Sequence, residues 1–134
     1  MKPDDQLHDL PQNLRHERAV LQAADLTTWG QLRQLDDLRI SRLAASGRAS
    51  ARNLRRVRGI ADLVCALDLA PADAALLMHA GLATVAAISG SSPQDVVNRT
   101  GRLERQLRSG RPPVVDLALA RRWIRLAQER QNKN

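Results

Sequence analysis

The sequence predicts an all-α fold of short helices, on three observations. Its 134 residues contain no Phe, no Tyr and only two Trp, Trp29 and Trp123, which leaves Leu, Ile, Val and Ala to pack the core. Ala and Leu are good helix formers, whereas strands draw on the β-branched and aromatic residues that are scarce in this chain. Apolar residues recur at helical spacing, and cap and turn residues cut the chain into short segments. At 43% hydrophobic and 26% charged, the chain has enough apolar material for one core and one compact domain.

The segments follow in order. Pro11 opens a helix carrying Leu14, Ala19, Val20, Leu21 and Ala24 as far as Asp25, and Leu26-Thr27-Thr28 links it to the next. Thr28 caps a short helix through Trp29, Leu32 and Leu35. Asp36 or Asp37 caps another, with Leu38, Ile40, Leu43 and Ala44 inward and Gly47 beyond its end. Ser50 starts the longest helix, whose stripe is Leu54, Val57, Ile60, Ala61, Leu63, Val64 and Leu67. Pro71 takes the first position of a helix over 72–80, stopped by Gly81. Thr84 caps Val85 to Ser89, and Ser92-Pro93 starts a helix with Val96, Val97, Leu103 and Leu107 apolar, in which Thr100-Gly101 is a candidate break. After the link 109–113, a closing helix sets Leu117, Ala120, Ile124 and Ala127 on one face beside Trp123. The uncharged run from Ala74 to Gln94 reads as two short buried helices with a turn, not as a membrane span.

Charge is segregated along the chain. The net charge is +7, and all but Lys2 and Lys133 of the 21 bases are Arg. Residues 1–38 carry −3, residues 39–58 carry seven Arg and no acid, residues 59–98 carry four Asp and no base, and residues 99–134 carry +7. An anion-binding face must therefore come from the middle Arg block and the C-terminal third. Met1 to Leu10 lacks the basic start and apolar core of a secretory signal, and the single Cys65 excludes an intramolecular disulfide and a cysteine zinc site. A reducing, cytoplasmic setting is expected.

Two segments repeat one organisation of helix, link and short helix. Leu10-Pro11-Gln12-Asn13-Leu14 leads to Ala24-Asp25-Leu26-Thr27-Thr28-Trp29, and Leu67-Asp68-Leu69-Ala70-Pro71 leads to Ala80-Gly81-Leu82-Ala83-Thr84-Val85. The shared pattern is Ala, small or polar, Leu, any, Thr, apolar. It looks like the back half of a helix-hairpin-helix unit. With Ala61-Asp62-Leu63, Ser92-Pro93, Arg111-Pro112 and Trp123-Ile124 in support, the chain from about Leu10 to Gln128 resembles a bacterial domain-of-unknown-function family built from tandem helix-hairpin-helix units. The resemblance implies a polar tail over 1–9 and a domain over 10–130. Within it lie a first unit over about 10–46, a connecting helix over about 50–67, a second unit over about 67–108 and a closing helix over about 114–130, with a tail at 131–134.

Nucleic-acid-binding members of the wider superfamily bring backbone N–H groups to a phosphate through a Gly-x-Gly hairpin beside a helix N-terminus. The matching positions in this chain read Gln12-Asn13-Leu14 and Asp68-Leu69-Ala70. Side chains obstruct close approach in both, and Asp68 sets a negative charge where a phosphate would sit. The first hairpin keeps Arg15, His16 and Arg18 nearby.

No catalytic or metal constellation is legible: His8, His16 and His79 lie far apart, Cys65 sits in an apolar stripe, and the neighbours Asp36 and Asp37 point apart on a helix. No cofactor, small-molecule substrate or enzymatic activity is expected. Trp123 beside Arg121, Arg122 and Arg125 could stack a base, but with two aromatics in the chain a core anchor is the better reading. The expected function is a non-enzymatic module that binds DNA or RNA backbone independently of sequence. Its candidate contacts are Arg48, Arg52, Arg55, Arg56 and Arg58, with Arg102, Arg105 and Arg108 and with Arg15 and Arg18. The alternative is a protein-protein adaptor whose Arg faces dock on an acidic partner.

Overall fold

Most of the described helices in this protein begin where a side-chain oxygen takes up a backbone N–H that the first turn leaves unpaired. The computed structural model describes residue 10, residues 12–106 and residues 115–132. Among the described residues the chain forms eight α-helices and no strand element: α1 Arg15–Ala23 after a 3-10 turn Gln12–Leu14, α2 Trp29–Arg33, α3 Asp37–Ala44, α4 Ala51–Leu67, α5 Pro71–His79, α6 Val85–Ser89, α7 Pro93–Gln106 and α8 Leu117–Asn132. The all-α expectation holds. The expected tail over 1–9, Pro11, Leu107 and the link 109–113 lie outside the described residues.

The caps sit close to where the sequence puts them. Thr28 accepts from Gln31 N at 3.3 Å, while Gln31 Oε1 accepts from Thr28 N at 3.1 Å, completing a capping box. Asp36, not Asp37, caps α3, accepting from Arg39 N at 2.7 Å. Ser50, Thr84, Ser92 and Asp116 cap α4, α6, α7 and α8 by bonds of 2.8–3.1 Å. Each such cap contributes about 1 kcal/mol.

The chain divides into two compact units, Met1–Ala75 and Leu76–Asn134. In the first, α4 packs against α2 and α3 and touches α1. The fully buried side chains Trp29 and Leu32 of α2 and Ile40 of α3 supply much of this contact, with Leu54, Val57 and Ile60 from α4. Burial of each such side chain is worth about 1.5–3 kcal/mol. In the second unit α8 packs against α6 and α7, burying Ala120, Trp123, Ile124 and Ala127 on one face of α8. There Gln128 Nε2 donates to Ser89 O at 3.3 Å, and the Ser89 hydroxyl bonds Gln131.

The repeat seen in the sequence is a repeat of backbone. The starts of α1, α2 and α3, at 15, 29 and 37, recur for α5, α6 and α7 at 71, 85 and 93, a constant shift of 56 residues. Both copies leave their first helix by the same reversal. Leu26 N donates to Leu21 O and Leu82 N to Leu77 O, each at 2.9 Å, while Asp25 N reaches Gln22 O and Gly81 N reaches Met78 O at 3.1 and 3.0 Å. This closure needs a left-handed residue just past the helix, and Asp25 (φ 60°) and Gly81 (φ 88°) supply it.

Three local expectations fail. Leu38, expected inward, is 61% exposed, because a residue two positions from the buried Ile40 projects from the opposite side of the helix. Leu117, expected on the buried face of α8, is 38% exposed; it is the first residue of the helix, and side chains lean toward the N-terminus, which carries this one past the end of the packed face. Thr100-Gly101 does not break α7. The buried Thr100 hydroxyl donates to Val96 O at 2.8 Å, a bond that keeps it inside the helix, and packing on α8 outweighs the weak helix propensity of Gly101.

One buried charge went unread in the sequence. Glu17 is only 3% exposed, on the same face of α1 as Leu21 and beside Leu14. Its Oε2 accepts from Ser50 N at 3.1 Å and its Oε1 from Asn53 Nδ2 at 3.4 Å, at the N-terminal end of α4, where the helix dipole favours a carboxylate. Removing it leaves those donors unsatisfied. Glu17→Ala is expected to lower the free energy of unfolding by about 1–3 kcal/mol, against less than about 0.5 kcal/mol for the exposed His16→Ala, measured by urea denaturation.

Candidate functional site

The arginines of the middle block separate by what their side chains already hold. Arg58 Nη1 donates to Leu35 O and to Asp37 Oδ1, both at 3.0 Å, and so ties α4 to the start of α3. Arg33 Nε meets Asp62 Oδ1 at 2.9 Å. Arg56, half-buried, donates from Nη1 to Asn53 Oδ1 at 3.2 Å. These three have structural work within the first unit. Arg48, Arg52 and Arg55 are exposed and make no ion pair among the described residues. Arg52 and Arg55 lie one turn apart at the N-terminal end of α4, and Arg48 stands just before it.

Two backbone donors at that end are already committed. Ser50 N is taken by Glu17 and Asn53 N by the Ser50 hydroxyl. An anion arriving at the start of α4 would meet the guanidinium groups of Arg52 and Arg55. A shallow groove of about 610 Å³ beside it runs from His16, Ala19, Val20 and Ala23 of α1 to Gly47 and Arg48, which brings His16 and Arg48 to one surface. Arg15 is exposed and Arg18 half-buried, and each already holds an interaction within the molecule.

In the second unit Arg99, Arg102 and Arg105 are exposed on α7. Three-residue spacing turns each about 60° from the last, which spreads them as a band. A Cβ on Gly81 would lie 3.4 Å from Arg99 Nη1, so this guanidinium rests against the exit of α5, where the helix dipole is negative. Arg99 and Arg102 line a groove of about 400 Å³ with His79, Asp95, Asn98 and Leu103. Arg108 lies outside the described residues. Arg121, Arg122 and Arg125 are exposed on α8, but Trp123 between them is 2% exposed and offers no face for a base. Trp29 is fully buried with its Nε1 unpartnered, a core anchor.

Asp68 closes α4 in the left-handed region, φ 52° and ψ 42°, a conformation glycine adopts without cost. Its side chain is exposed and engaged within the molecule. A family model described as a domain of unknown function (DUF4332) matches residues 11–130. The chain belongs to that family. No curated protein and no solved structure matches it.

Among the described residues two titratable groups depart from their ordinary values. Burial pushes the Cys65 thiol up, with Arg33 opposing and Asp62 adding, which keeps it protonated at neutral pH. Burial also pushes up the Asp73 carboxyl in the first turn of α5. Among the described residues no three of His, Cys, Asp and Glu come together to hold a metal ion.

The division of the arginines is testable by stability alone. Arg58→Ala should cost about 1 kcal/mol through the lost bonds to Leu35 and Asp37, whereas Arg52→Ala and Arg55→Ala should each change it by less than about 0.5 kcal/mol. For Asp73 the folded state holds the proton more tightly than the unfolded chain, so ionisation opposes folding at neutral pH and the opposition fades as pH falls through the folded value. Asp73→Asn is expected to melt above the wild type at pH 7, with the gap closing below about pH 4, read by circular dichroism melts across pH.

Proposed function

We propose that this chain is a non-enzymatic module that binds the phosphate backbone of DNA or RNA without reading sequence. The observation that carries the reading is that Arg48, Arg52 and Arg55 project from an acid-free stretch of the first unit without an ion pair, while Arg33 and Arg58 of the same unit are paired. Guanidinium groups suit phosphate oxygens by charge and by their fork of donors. Arg102 and Arg105 provide a second basic face, within the second unit. Arg56 and Arg58 serve mainly to hold α4, and Arg15 and Arg18 are secondary candidates.

On this reading the two copies of the repeat are helix-hairpin-helix-like units of a bacterial, cytoplasmic protein, and contact runs through side chains because the hairpins no longer present glycines. Among the described residues no helix is long and apolar enough to cross a membrane. The alternative partner is an acidic protein docked on the same arginines. It draws support from Asp68, whose carboxylate at the left-handed hairpin position repels phosphate.

Fluorescence anisotropy of labelled single- and double-stranded DNA and RNA tests the proposal. Affinity should fall as salt rises. The Arg48→Ala/Arg52→Ala/Arg55→Ala variant should bind weakly, with the slope of log affinity against log salt smaller by about 0.7–0.9 for each arginine that met a phosphate. An unchanged slope in a variant that melts like the wild type would sink the assignment of this face, and no binding at low salt would favour the acidic protein.

A further inference from the structure

The two copies of the repeat share a backbone, so a surface feature present in one and absent from the other is not a requirement of the fold. Leu38 is such a feature. It is 61% exposed in the first turn of α3, and its counterpart 56 residues on is Gln94, an exposed polar residue whose Nε2 donates to Asn98 Oδ1 at 2.9 Å. Arg39 and Arg42, exposed on the same helix without an ion pair among the described residues, have Asp95 and Asn98 as counterparts. The first unit thus presents an apolar residue and two free cations where the second presents amides and an acid.

These residues line a groove of about 610 Å³ formed by α2, α3 and the link before α2. Leu38 stands on its edge, with Leu26 and Leu35 among the lining, Gln31 and Gln34 on the α2 side and Arg39 and Arg42 on the α3 side. The acids nearby are engaged: Asp36 caps α3 through Arg39 N, and Asp37 is paired with Arg58. An apolar floor with unpaired cations on one rim matches a ligand that carries an aliphatic group and negative charge together.

We infer that the α2–α3 groove of the first unit docks an acidic peptide segment of a partner protein, an aliphatic or aromatic side chain of the segment packing on Leu38 and its Asp or Glu residues meeting Arg39 and Arg42. A nucleic-acid backbone fits less well, since phosphates gain nothing from Leu38. Charged rims and apolar anchors divide the work in such interfaces, the anchor supplying most of the affinity. This site is separate from the Arg48, Arg52 and Arg55 face and does not depend on nucleic-acid binding there.

The test is selection of a displayed random-peptide library on the full chain, followed by anisotropy titration of the best clone as a labelled synthetic peptide. The expected clones combine a Leu, Ile, Met or Phe with two or more acids. L38Q, which carries the residue the second unit has at this place, and the Arg39→Ala/Arg42→Ala variant should each weaken the peptide by about tenfold or more while melting like the wild type. The Arg48→Ala/Arg52→Ala/Arg55→Ala variant should bind it normally, which separates this site from the proposed nucleic-acid face. No enrichment over bare support, clones without acids, or equal affinity for L38Q would overturn the inference. So would labelled DNA that loses as much affinity on L38Q as the peptide does, an outcome that would make the groove part of a nucleic-acid surface.

Discussion

The reversal at the end of α1 and of α5 is the constraint on which each repeat is built. A helix that stops in a left-handed residue turns the chain back sharply, and the two backbone bonds that close it fix the next leucine, Leu26 or Leu82, directly over the last turn. Two residues later a threonine starts a five-residue helix, Trp29–Arg33 or Val85–Ser89, too short to persist without tertiary support. Its buried Leu32 or Ile88, and the Ile40 or Val96 that follows, acquire partners once the long helix of the unit packs against both elements. Local geometry and tertiary packing are thus coupled, since each stabilises a conformation the other requires.

At the start of α4 one buried carboxylate organises a basic surface. Glu17 takes up the amide of Ser50 and the side chain of Asn53, and Asn53 in turn accepts from Arg56. The network joins α1 to α4 and occupies the Ser50 amide at the start of the helix. Arg52 and Arg55 remain outside it. The start of α4 therefore brings a structural acid from α1 close to the arginines proposed to meet phosphate, which project from α4 outside the Glu17 network.

The two repeats show how little a shared backbone commits a surface to one use. Leu38, Arg39 and Arg42 in one copy stand where Gln94, Asp95 and Asn98 stand in the other, while the buried pairs Leu21 and Leu77, Leu32 and Ile88, and Ile40 and Val96 stay apolar. Arg99 lies against Gly81 in the second copy, and its counterpart Leu43 in the first is half-buried. Core positions are constrained by volume, and exposed positions are open to new chemistry, so the function of each copy has to be argued from its own side chains.

Caps and turns were legible in the sequence because they depend on near neighbours. Thr28, Ser50, Thr84 and Ser92-Pro93 mark helix starts through bonds spanning three residues, and the Ala-x-Leu-x-Thr pattern marks the repeat for the same reason. The segregation of charge into blocks, and with it the candidate arginines, could also be read from the chain alone. What Glu17, Leu38, Arg56 and Arg58 do was decided only in three dimensions. Glu17 has the spacing from Leu14 and Leu21 that places it on the buried face, but the donors that make its burial tolerable come from α4, more than thirty residues away. Arg58 looks like its neighbours in the sequence until Asp37 and the Leu35 carbonyl arrive beside it. A residue's spacing fixes the direction in which its side chain leaves the helix, whereas the partner it meets there depends on the packing of another element, and only the folded chain supplies that.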